Sequence, residues 1–265
     1  MVNPIFEKWA TGHSGCDGGD IGFVERPSIW FCGIEWGGGK PDDQDEHAYE
    51  SKLLETLQLD VSAPAIGYVN DNGEPNWTEN LAYIFNWQAM KLLTAISGGQ
   101  FSDYKKFAES EQPFVKGRKG YYKMNLYPLA FKNTSHHLWQ GGVAKVTGFE
   151  NKQDYKDWVR RCRFPVMKTW VELYVPALIV CTGITYSDEF KHAFVDDGKE
   201  FKRKAIDGKD LYWWINKNGP DIVNIPFMVN RNGLTRNVLI QKFGEWIRAL
   251  ISSANSDRKR QVTDQ

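Results

Sequence analysis

The chain has no run of 18 consecutive apolar residues, so nothing in it reads as a membrane-spanning helix. Its beginning lacks the charged-then-apolar pattern of a secretory signal, and the cytoplasm is the expected compartment. It has no C-x-x-C pair. The four cysteines are Cys16, Cys32, Cys162 and Cys181, and Cys32 and Cys181 fall inside apolar runs. Free buried thiols are therefore expected, and an iron–sulfur or zinc site would require the fold to gather all four. Charge of either sign is not in excess, with 33 Lys+Arg against 33 Asp+Glu. That excludes bulk electrostatic coating of nucleic acid but leaves room for a local basic face.

Other signals are also missing. No internal repeat and no Pro- or Ser-rich linker divides the chain. One domain over residues 1–252 is expected, with a frayed polar tail over 253–265 ("SANSDRKRQVTDQ"). The glycine-rich stretch Thr11–Gly22 ("TGHSGCDGGDIG") carries no Walker lysine, and no G-x-G-x-x-G opens a helix, so both phosphate-loop readings fail. Its His13, Asp17 and Asp20 are too few ligands on too loose a loop for a metal, and no metal or cofactor is expected.

What is present is a globular composition, 42% hydrophobic and 25% charged. Eleven Trp, eleven Tyr and fifteen Phe supply a core and, for flat ligands, stacking surfaces. Apolar runs at Ser28–Ile34, Ala177–Thr182 and Asp221–Phe227 read as strands covered on both faces, and Tyr121–Tyr127 as a mixed fourth. Leu81, Phe85, Ala89, Leu92 and Ile96 recur at helical spacing. So do Tyr155, Trp158, Cys162, Val166 and Trp170, with Pro165 expected to kink or split that helix. Leu239, Phe243, Trp246 and Leu250 form a closing helix. Alternating strands and helices predict a layered α/β fold with a mostly parallel sheet. Residues 200–216 ("EFKRKAIDGKDLYWWIN") predict a β-hairpin around Asp207-Gly208.

In open α/β sheets, sites form at the carboxyl ends of the strands. The four ends here are "GIEWGGG", "NLYPLAF", "TGITYS" and "PFMVNRNG", all rich in Gly, Asn, Thr or Arg. Glu35 is a carboxylate at the end of an apolar strand, suited to stabilise developing positive charge or accept a proton. A helix-capping or ion-paired glutamate is the structural alternative. Asn125 offers a donor and an acceptor to a pyrimidine edge, or is simply a turn residue before Tyr-Pro. Gly37, Gly38 and Gly39 are a flexible turn, or a place where backbone meets a ligand too closely for a Cβ. Asp20 is a second candidate carboxylate. The "KGRKG" turn (116–120) is a solvated turn or a backbone grip.

These four ends resemble the motifs of the uracil-DNA glycosylase superfamily, closest to its single-strand-selective monofunctional and mismatch-specific branches. Gly33-Ile34-Glu35-Trp36-Gly37 resembles the first motif, a turn after the first strand. Met124–Phe131 resembles the second, an asparagine closing a strand and followed by proline. Ala177–Gly183 resembles the third strand, and Pro226–Asn232 stands where the family has its DNA-intercalating loop. The resemblance implies a three-layer α/β/α sandwich, here with a helical insertion over 42–120 and the added hairpin. It implies a monomeric enzyme with no cofactor that flips a base from DNA and hydrolyses the N-glycosidic bond. Glu35 would be the catalytic carboxylate. Gly33, Ile34, Trp36, Gly37, Asn125, Tyr127 and Phe227 would contact the base. Lys132, His136, Thr182, Arg231, Asn232 and Arg236 would lie along the DNA.

Two departures are visible. The last loop carries Phe227 where the family often has a histidine that assists the leaving base. Gly37 stands where the uracil-selective branch has a tyrosine that excludes C5 substituents. The expected substrate is therefore a damaged or 5-modified pyrimidine, up to the bulky modified cytosines of some viruses, whose excision would leave abasic sites in a defence role. No lysine stands in the Glu35 turn before Lys40, so lyase chemistry is not expected. A non-catalytic DNA or base reader and a small-nucleoside hydrolase are the rival readings.

Overall fold

The computed structural model describes residues 2–37, 46–131, 139, 141–195, 202–215 and 219–263. The chain opens with α1 (Pro4–Ala10), β1 (Cys16–Gly19), a small ribbon of β2 (Gly22–Phe23) and β3 (Arg26–Pro27), then β4 (Ile29–Gly33) and β5 (Trp36–Gly37). Four helices follow, α2 (Glu46–Leu57), α3 (Trp77–Asn80), α4 (Ile84–Ser97) and α5 (Tyr104–Glu111). Then come β6 (Tyr121–Asn125), β7 (Ala130–Phe131), α6 (Gly141–Thr147), α7 (Lys152–Tyr174) and β8 (Leu178–Thr182). The last part is α8 (Ser187–Phe194), β9 (Lys202–Ile206), β10 (Lys209–Trp214), β11 (Asp221–Ile225) and α9 (Asn237–Thr263). Among the described residues, no helix is long and apolar enough to cross a membrane.

One seven-stranded sheet organises the molecule, in the order β1-β6-β4-β8-β11-β10-β9. β6, β4, β8 and β11 are mutually parallel, while β1 and β10 run against their neighbours. Side chains alternate between two cores, as a strand buried on both faces requires. Trp30, Cys32, Tyr122, Met124, Ile179 and Cys181 face α1, α7 and α8. Phe31, Leu178, Val180, Val223 and Ile225 face α4 and α9. The fold is therefore a three-layer α/β/α sandwich. Strand order reverses beside β4, whose neighbours β6 and β8 follow it in sequence on opposite sides. The carboxyl ends of β4, β6 and β8 are thus the place where such sheets open a crevice.

The four apolar strands and the hairpin match expectation, the latter with Asp207 and Gly208 both at positive φ (47° and 78°). Three elements differ. The segment read as a glycine-rich loop forms edge strand β1, because its glycines permit close packing rather than ligand approach. A Cβ on Gly18 would stand 2.3 Å from Ala65 O, and one on Gly19 would stand 2.5 Å from Tyr121 O. Helix α7 runs unbroken through Pro165. The buried Phe164, Met167 and Trp170 around it outweigh the ~3 kcal/mol a mid-helix proline costs. Helix α9 extends to Thr263 through the stretch read as a frayed tail, which holds no Gly or Pro to stop it.

Arg163 joins these parts. It is fully buried on α7, and among the described residues it has no acidic partner. Its guanidinium donates instead to Leu126 O (2.9 Å), Gly12 O (2.9 Å), Ser14 O (2.6 Å), Ser14 Oγ (3.1 Å) and Ala10 O. Replacing it strands several buried carbonyls, each worth about 1–3 kcal/mol when unpaired. Arg163→Met is expected to lower the urea unfolding free energy by at least about 3 kcal/mol. A loss below about 1 kcal/mol would mean that the loop is held by other contacts.

Candidate functional site

Parallel pairing sets Gly33, the last residue of β4, beside Asn125, the last of β6. The Asn125 amide lies across the Gly33 backbone, and a Cβ on Gly33 would stand 2.3 Å from Asn125 Oδ1. Asn125 is buried, and its Nδ2 donates to Gly15 O at 3.3 Å. Its Oδ1 has no partner among the described residues. Beyond Gly33 the two chains stay tied, with Leu126 N donating to Gly33 O (3.0 Å) and Tyr127 N to Ile34 O (2.8 Å). Then β5 pairs in parallel with β7. Glu35 is held between these two pairings.

The Glu35 side chain is only 4% exposed, and the fully buried Nζ of Lys152 lies 3.1 Å from its carboxylate. Only Oε1 receives a well-directed hydrogen bond; Oε2 is buried without one. Burial raises the Glu35 pKa, and the ammonium groups of Lys152 and Lys156 oppose that rise. Burial likewise pushes Lys152 down, with Glu35 opposing. The Phe131 ring centre stands 3.7 Å from the same Nζ.

One turn along α7, Lys156 is buried with its Nζ 5.5 Å from the Tyr127 ring centre and 6.0 Å from that of Tyr186. Among the described residues it forms no ion pair or hydrogen bond. A further turn on, Arg160 binds Glu189, whose Oε2 also accepts from Tyr127 Oη at 2.9 Å. Thus Lys152, Lys156 and Arg160 form a row of cations along one face of α7. Sequence reasoning missed them. The available signal was the spacing of two lysines and an arginine at four-residue intervals in an otherwise amphipathic helix.

Several expected contacts do not form here. Tyr127 is fully buried between Tyr155 and Phe164, because its ring completes the core under the turn; no base can reach it. Thr182 is fully buried at the end of β8, with Oγ1 directed to Cys32 O at 3.4 Å, so it faces no DNA. Asp20 lies at the opposite end of the sheet, its N–H bonded to Tyr121 O at the start of β6. Although burial pushes its pKa up, Arg26 and the N–H groups of Gly120 and Gly22 hold it down. Asp20 thus anchors the turns around β2–β3 and the "KGRKG" segment, far along the strands from Glu35.

Other candidates remain open to solvent. Phe227 is 38% exposed, its ring 6.0 Å from that of Phe85. Arg231, Asn232 and Arg236 are exposed on the turn after β11, and among the described residues neither guanidinium has an ion-pair partner. Ile34 is buried, Trp36 is partly buried, and a Cβ on the exposed Gly37 would meet nothing within 4 Å. Lys132 and His136 lie outside the described residues. All four cysteines are free, and the described residues hold no cluster of three or more metal-ligating side chains. The sequence matches no protein-family model and no curated protein.

The Glu35–Lys152 pair can be tested directly. Lys152→Met leaves a buried carboxylate uncompensated and is expected to destabilise the protein by about 3–5 kcal/mol in urea unfolding. The double variant Glu35→Gln/Lys152→Met should regain more than half of that loss. If the two single effects simply add, the two groups are not coupled.

Proposed function

We propose that this protein is a monofunctional DNA glycosylase that hydrolyses the N-glycosidic bond of a pyrimidine flipped from DNA. The observation that supports the reading is the register of β4 with β6. It places the Asn125 amide over the Gly33 backbone, two residues before a buried carboxylate. Asn125 Oδ1 is free to accept from a base, and an amide recognises a pyrimidine edge through that acceptor and its N–H. As the bond breaks, positive charge grows on the sugar, and a fixed anion nearby is attracted more strongly in the transition state than before it. Lys152 opposes the rise that burial gives the Glu35 pKa, and a carboxylate is suited to receive a proton from an attacking water. The exposed Phe227, with Arg231 and Arg236 beside it, suits a wedge flanked by phosphate contacts.

The buried ion pair favours one alternative, a non-catalytic DNA reader in which Glu35 is structural. The two readings separate on Glu35→Gln. Under the hydrolase reading it lowers single-turnover base release by at least about a hundredfold while DNA binding survives. Release is measured on strands carrying one test base each, cleaved with alkali at abasic sites, with free nucleosides run in parallel. An unchanged rate removes Glu35 from the chemistry. A native protein that binds but releases no base is a reader, and one that acts only on nucleosides is neither.

Gly37 bears on which base is taken. Open space around its Cα position leaves room for a C5 substituent, including the bulky groups of virally modified cytosine. Excision of such bases would give the protein a defence role. Gly37→Tyr should cut release of bulky 5-substituted cytosines by at least about tenfold while sparing uracil, because steric exclusion discriminates more strongly than a fitted methylene. Equal loss for both substrates would show that the position does not select at C5.

A further inference from the structure

The large sheet ends on one side in an open strand. β9 pairs with β10, and among the described residues no strand pairs with its outer edge. β8, β11 and β10 separate it from β4, so it lies away from the Glu35–Asn125 crevice. Antiparallel pairing turns the N–H and C=O of every second residue toward the neighbour and those of the others away from it. The two-residue turn at Asp207-Gly208 makes Ile206 and Lys209 the closing bonded pair, which leaves the main-chain groups of Arg203 and Ala205 directed outward. Lys202, Arg203, Lys204 and Ala205 are all exposed.

The side chains on this edge carry a pattern. Register sets Lys204 opposite Leu211 and Lys202 opposite Trp213, and residues paired in this way share a face of the sheet. Leu211 and Trp213 belong to the core on the α9 side, where Trp213 meets Trp246. Both lysines therefore stand on that face, two residues apart. Among the described residues neither forms an ion pair or hydrogen bond. Arg203, on the other face, is already matched by Asp210, with Nε 2.9 Å from Oδ1 and Nη2 3.0 Å from Oδ2. At the turn, Asp207 pairs with Lys242 of α9 at 2.6 Å. These two contacts hold the hairpin in place, which limits the ordering cost of adding a strand to it.

An open edge admits several occupants, and charge and main-chain chemistry choose among them. A second copy of β9 would set lysine against lysine, and like charges across strands are destabilising. Nucleic-acid phosphates would attract the lysines, but they accept hydrogen bonds only and leave the outward carbonyls of Arg203 and Ala205 unmatched. An extended peptide supplies donors and acceptors in one row, and acidic side chains at alternate positions on it would stand opposite Lys202 and Lys204.

We propose that the outer edge of β9 docks an extended acidic segment of a partner protein, added to the sheet as a further strand with carboxylates at two alternate positions facing Lys202 and Lys204. The proposal does not rest on the hydrolase reading, since it concerns another edge of the sheet and none of the residues in that reading.

The test is fluorescence anisotropy of a labelled peptide of about eight residues alternating Glu with Val, titrated with the full chain at low salt. Saturable binding is expected. A counterpart alternating Lys with Val should bind at least about tenfold more weakly, because two attractive cross-strand pairs become repulsive. Lys202→Glu/Lys204→Glu should reverse that order of preference while its thermal unfolding stays native, both side chains being exposed. N-methylating every valine, or every glutamate, removes one set of peptide donors, and at least one of these two peptides should bind at least about tenfold more weakly. A dT oligomer is titrated against both proteins, and both are sedimented. No saturable binding of the glutamate peptide, an unchanged preference in the folded double variant, or undiminished binding of both methylated peptides would each overturn the proposal. So would self-association of the native chain that the double variant abolishes, which would make a second copy the occupant. Oligomer binding that the double variant loses, with no peptide bound, would make β9 a nucleic-acid contact and overturn it as well.

Discussion

A buried guanidinium that has no carboxylate beside it, Arg163, holds the working end of this molecule together. An arginine fully removed from water must spend its donors on something, and here the acceptors are main-chain oxygens. Those oxygens belong to the segment after α1 and to the residue following β6. The consequence runs directly to the site. By holding Gly12 and Ser14, Arg163 fixes the position of Gly15, whose carbonyl takes both the backbone and side-chain N–H of Asn125. The same positive charge helps keep His13 neutral. One side chain on α7 therefore fixes the loop that orients the Asn125 amide and adds to the burial that lowers the His13 pKa.

The strands of this fold were legible because both faces of each are buried, which writes a continuous apolar run that composition cannot hide. "SIWFCGI" and "ALIVCT" admit hardly any other reading, and the crevice at their carboxyl ends followed from the layered architecture. Gly33 and Asn125 were legible from their place at the ends of the apolar strand "SIWFCGI" and of the mixed strand before Tyr-Pro. The rest depended on contacts between distant residues. Nothing local in "CDGG" announces an edge strand; its glycines are explained by Ala65 and Tyr121, which lie far along the chain. Tyr127 looked available because it follows Asn125 by two residues, but its ring turns into the core where Tyr155 and Phe164 wait. Asp20 looked near Glu35 in sequence, yet β1 runs antiparallel to β6 and carries it to the other end of the sheet.

The charge balance of the whole chain concealed the electrostatics of this region. Equal numbers of acids and bases say nothing about where each sign is placed. Lys152, Lys156 and Arg160 lie four residues apart on α7, and Glu35 and Glu189 come from two other elements to meet them. The acids are thereby held in a field they did not create. Burial raises the Glu35 pKa, and the lysines work against that. A carboxylate in such balance can keep its charge while having an oxygen without a hydrogen bond, a combination that solvent would remove on the surface and that an unpaired interior would not tolerate.

The proposed glycosylase reading rests on backbone register more than on side-chain strings. Reading the second motif residue by residue assigned roles to Asn125 and Tyr127 alike, yet Tyr127 is buried in the core while Asn125 lies over Gly33, and Thr182 at the third strand end is fully buried. What survives is the geometry that pairing enforces. Gly33 must lack a Cβ because Asn125 lies over it, and Glu35 must follow closely because β5 and β7 pair immediately afterwards. Each of these constraints links two segments nearly a hundred residues apart. A substitution at Gly33 would displace the Asn125 amide without touching it in sequence. The glycine that ends β4 and the asparagine that ends β6 therefore act as one unit, and any chemistry at this crevice has to be built on that unit.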